Sequence, residues 1–78
     1  MNTMNKERRK ELRVAITRLE EAVSHLESVL ADEQDAFENL PEGLQCSERG
    51  EAMEEGIYTM EEAMDSMNEI IENLEDLM

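Results

Sequence analysis

The sequence predicts an all-α fold: an antiparallel, coiled-coil-like two-helix hairpin that associates into a four-helix bundle dimer or a larger oligomer. Three observations predict it. Two long runs of apolar residues keep heptad spacing, and the short stretch between them holds the only proline and the only cysteine. No segment alternates polar and apolar residues as a half-buried strand would. The chain reads as one domain over residues 1–78, with helix one over about 5–38, a turn over 39–47 and helix two over about 48–78.

Asn5 or Thr3 supplies a side-chain oxygen to cap the first helix. Its seam is Leu12, Ile16, Leu19, Val23, Leu26, Leu30 and, after Glu33, Phe37. The steps alternate four and three, which keeps one stripe facing a partner helix. Asn39-Leu40-Pro41-Glu42 then offers a cap-like Asn and a proline suited to a first turn, so a short helical turn is expected to end near Gly43. Ser47 is the expected cap of the second helix, with Glu48 and Glu51 near its positive end. The second seam is Met53, Ile57, Met60, Met64, Met67, Ile71, Leu74 and Met78. Methionine dominates it, and methionine adapts to irregular partners.

A third apolar stripe accompanies each seam at heptad position g. It reads Ala15, Ala22, Val29 and Ala36 in the first helix, and Gly56, Ala63, Ile70 and Leu77 in the second. A face this wide can bury against two neighbours, whereas a strict a/d seam serves one. Antiparallel folding sets the bulky end of one stripe beside the small end of the other. The hairpin leaves part of that face open, which is the reason to expect self-association. The alternative is a monomeric antiparallel coiled coil.

Seventy-eight residues bury a limited core, so a staple, a metal or a partner subunit is expected. One cysteine excludes an internal disulfide, and one histidine with one cysteine makes no zinc site. The charged N-terminus carries no apolar leader and no run is long enough to cross a bilayer, so the expected location is cytoplasmic. The net charge is −14. It argues against nucleic-acid binding and against anionic membrane surfaces. Six of the seven basic residues precede residue 19; beyond it Arg49 stands alone against nineteen carboxylates, a balance of −18.

Few residues carry chemistry. Arg8, Arg9 and Arg13 beside free helix N–H groups form a candidate anion site, with Arg9 expected to point into the seam. The competing reading pairs this cluster with Glu72, Glu75 and Asp76 across the hairpin. Ser47, Arg49 and Gly50 form a second candidate anion site at the turn. Glu33 and Arg49 are expected to interrupt the two seams, at d and a, and to be able to pair. His25, Cys46 and Tyr58 are each read as solvated. No Ser-His-Asp set, phosphate loop, metal cage or cofactor motif can be assembled, so no enzyme is expected.

The stretch DEQDAFENLPEGLQCSERGEAMEE, with its Asn-Leu-Pro-Glu turn and Ser-Glu-Arg step, resembles a group of short acidic helical-hairpin proteins of Firmicutes and their phages. The resemblance covers most of the chain and transfers no activity. It implies a phage or mobile-element setting, where such proteins inhibit host defences by binding. The expected function is therefore that of a non-catalytic, self-associating acidic interaction protein. Its partners are a second copy of itself and a host protein, or, as the alternative, an anionic signalling nucleotide that the oligomer sequesters. Nucleic-acid mimicry and a purely structural assembly role are the remaining readings.

Overall fold

A computed structural model describes residues 4–78 and shows two helices packed against each other, with no strand among the described residues. Helix α1 spans Lys6–Glu38 and helix α2 spans Glu48–Glu75. The hairpin is a slab whose Cα atoms extend 58 × 17 × 12 Å.

Both helix starts are capped as their sequences require. The Asn5 side-chain oxygen accepts the Arg8 backbone N–H at 2.8 Å. Ser47 receives the Gly50 N–H at 3.3 Å. Each cap satisfies one of the donors that a helix leaves orphaned, an effect of about 1 kcal/mol. Thr3, the other candidate cap, lies outside the described residues.

The end of α1 is closed by side chains. Asn39 donates its amide to the Asp35 carbonyl at 2.9 Å, and the Gln45 amide reaches the Phe37 carbonyl at 3.2 Å. Pro41 has no N–H to continue the ladder, and it biases Leu40 away from helical geometry. The expected short helix at 39–43 does not form. Two successive turns replace it, closed by Leu44 N–H to the Pro41 carbonyl at 3.0 Å and Ser47 N–H to the Leu44 carbonyl at 3.1 Å. Gly43 has φ +90°, the left-handed value that the third residue of a type II turn needs. That conformation is incompatible with a continuing helix.

All sixteen heptad a and d positions from Leu12 to Phe37 and from Met53 to Met78 are buried or half-buried, Glu33 included. The core is small and lies toward the chain termini. Ile16 is wholly buried, and with Val23 and Ile71 it forms a cluster flanked by Leu12, Leu19, Met67, Leu74 and Met78. Toward the turn only Leu30 joins the buried apolar side chains. The methionines at 53, 60 and 64 remain half-buried there.

One seam position is corrected. Arg49 is exposed, and its neighbour Gly50 is buried. Counting back three residues from Met53 at d makes Gly50 the a position and puts Arg49 at g. A Cβ built on Gly50 would stand 2.5 Å from the Leu44 carbonyl oxygen and 2.6 Å from the Gln45 carbonyl carbon. The turn backbone therefore lies directly on α2, and only glycine leaves room for it.

Candidate functional site

The site is best described as two opposed sides of the hairpin. In an antiparallel pair joined through a and d, the g positions of both helices share one side, and the e positions share the other. Position c extends the g side, while b and f extend the outer surface toward e.

Helix α2 separates its charge cleanly between these sides. Eleven carboxylates run from Glu48 to Asp76, all at b, e or f, and all are exposed. On the other side positions c and g read Arg49, Ala52, Gly56, Thr59, Ala63, Ser66, Ile70, Asn73 and Leu77, without a carboxylate and with Arg49, at the turn end, as the one charge. Helix α1 continues this side with Ala15, Ala22, Val29 and Ala36, interrupted by Arg8 at g and by Glu11, Arg18, His25 and Asp32 at c. The g stripe was legible in the sequence. The uncharged c positions of α2 were missed, although writing the heptad out in full reveals them.

The neutral side is open. Val29 is 45% exposed, Ile70 49% and Leu77 45%. Between the helices it holds a shallow groove of about 320 Å³ lined by Ala22, His25, Leu26, Val29 and Met67. His25 thus sits at the rim of an apolar groove. On the acidic side Glu51, Glu54, Glu55 and Tyr58 surround a dent of about 460 Å³, and Tyr58 is 63% exposed.

The two candidate anion sites lie at opposite ends of the slab. Arg8, Arg9 and Arg13 are exposed at the start of α1. Arg9 does not enter the seam; its guanidinium donates to the Met4 carbonyl at 3.1 Å. Among the described residues no ion pair joins these arginines to Glu72, Glu75 or Asp76, nor Glu33 to Arg49. At the turn, the Ser47 hydroxyl donates to the Leu44 carbonyl and accepts from Gly50 N–H. Those bonds occupy the groups with which Ser47 and Gly50 would hold an anion, and carbonyl oxygens crowd the space above Gly50. Arg49 remains as an exposed cation among carboxylates.

Among the described residues no three His, Cys, Asp or Glu side chains converge to hold a metal ion. Cys46 is a free, exposed thiol on the turn. No helix is long and apolar enough to cross a membrane among the described residues. No family model, curated protein or solved structure matches this chain.

Proposed function

We propose that this chain works by binding, as a self-associating acidic hairpin whose carboxylate side imitates a nucleic-acid backbone and occupies a basic groove on a partner protein. One observation carries the reading: the exposed carboxylates of α2 lie along the b/e/f surface and are absent from the other side. At 1.5 Å rise per residue they follow one another about every 4 Å, close to the ~3.4 Å axial spacing of phosphates along one DNA strand. A rigid helix presents such a row without the ordering cost that a disordered acidic tail would carry. The resemblance to phage hairpins suggests a host defence protein as the target.

The test is displacement of a short DNA duplex from a panel of basic DNA-binding proteins at physiological salt. The chain should displace DNA from a subset of the panel. Replacing Glu54, Glu55, Glu61 and Glu62 together by Gln should raise the required concentration at least ten-fold. Weak displacement from every member alike, lost at moderate salt, would reduce the effect to nonspecific attraction and end the mimicry reading.

A second reading, sequestration of an anionic nucleotide by the oligomer, draws on Arg8 and Arg13, exposed and free of ion pairs with α2. A panel of cyclic and linear nucleotides should then raise the melting temperature, and the Arg8→Ala/Arg13→Ala variant should lose the rise. An unchanged melting temperature across the panel removes this reading.

A further inference from the structure

We infer that a second copy of this chain docks on the neutral side in antiparallel orientation, so that the turn of each hairpin lies over the terminal end of the other. The inference rests on the self-association proposed above and names its surface and geometry.

Three observations select the surface. First, Val29, Ile70 and Leu77 lie on this one side and are all about half exposed, which leaves three large apolar side chains facing solvent on a chain of net charge −14. Second, the side measures 58 by 17 Å, about 1,000 Å² in projection, against the ~800 Å² per partner of a standard stable interface. Third, Gly56 has no role within the hairpin. It lies inside α2 without a positive φ, and a Cβ built on it would meet nothing within 4 Å. Glycine in a helix interior is destabilising relative to alanine, so a residue with no local reason points to close approach from outside.

The occupant follows from charge. A foreign helix could cover an apolar strip, but a second copy offers the same carboxylate-free strip of α2 and keeps both acidic sides facing solvent. Two identical faces can meet symmetrically in two ways. A two-fold axis along the slab stacks turn on turn. An axis across it stacks turn on terminal end, with α2 running over the partner's α2. Shape admits both, since each lays Ile70 over small residues. Charge separates them. Residues 24–62, the turn half, hold one cation against twelve carboxylates, which is −11; residues 4–23 and 63–78 hold six cations against nine, which is −3. The lengthwise axis presses −11 on −11, whereas the crosswise axis sets each −11 half on a −3 half and brings Arg8, at g, toward a partner's acidic turn. Like-charge juxtaposition suppresses the first arrangement. In the second, Ile70 lies toward the partner's Gly56.

Sedimentation equilibrium with spin labels on the native Cys46 tests both parts. The wild-type chain should sediment at twice its 9.0 kDa mass. Ile70→Glu should weaken association at least a hundred-fold while circular dichroism shows its helices intact. Val14→Glu, a comparably exposed position at f on the outer surface of α1, should leave association unchanged. The two labels should lie apart by a distance on the scale of the 58 Å slab. A dimer indifferent to Ile70→Glu overturns the surface, and labels close together overturn the orientation, while either result leaves the polyanion reading standing. A chain that stays monomeric at millimolar concentration overturns the inference together with self-association.

Discussion

The two sides of α2 are built from the same helix and differ in almost everything else. One shows eleven exposed carboxylates between Glu48 and Asp76; the other shows none between Ala52 and Leu77. Composition alone describes an acidic protein, yet the negative charge is confined to about half of this helix's circumference. A binding surface for a basic partner and a surface for a like copy can therefore coexist on one helix. Average charge says little about either; its angular position says a great deal.

The largest expected effect comes from the seam that holds the sides apart. Ile16→Ala empties the one fully buried side chain among the described residues, and such deletions cost about 2–5 kcal/mol. In a core this small, urea unfolding followed by circular dichroism should show most of the stability gone, and both surfaces lost with it. A loss below about 1 kcal/mol would mean that the seam is not the scaffold.

Two glycines sharpen the comparison. Gly50→Ala forces a Cβ against the turn backbone and should destabilise by about 1–3 kcal/mol, as overpacking does. Ser47→Ala removes the cap on the same turn and should cost about 1 kcal/mol. Gly56→Ala has the smallest effect and the most informative sign. In dilute monomer it should stabilise the hairpin by about 0.5–1 kcal/mol through helix propensity, while weakening self-association. Thermal melts across a concentration series separate the two effects. Stabilisation without any change in association would leave Gly56 without a partner.

Much of this was legible in the residues. Heptad spacing located every seam position from Leu12 to Phe37 and from Met53 to Met78, because burial in a two-helix hairpin follows the period directly. Asn5 and Ser47 as caps were readable for a local reason, since capping depends on a few adjacent residues. The turn was not. Whether Asn39–Gly43 coils or turns depends on how the chain crosses back, and the burial of Gly50 depends on where the Leu44 and Gln45 carbonyls come to rest. Neither has a periodic signature. The suggested pairing of the N-terminal arginines with Glu72, Glu75 and Asp76 also depended on side-chain reach, which adjacency of helix ends does not supply.

The two-sided account is tested most directly by the salt dependence of two binding events on one sample. Raising salt from about 10 to about 100 mM shortens the Debye length from about 30 to about 10 Å. Self-association, measured by sedimentation equilibrium, brings two chains of charge −14 together through a carboxylate-free strip, so it should tighten. Binding of an oligo-arginine peptide, measured by fluorescence anisotropy, uses the carboxylate side and should weaken. If both affinities fall together, the copies associate through charge and the separation of the sides is contradicted.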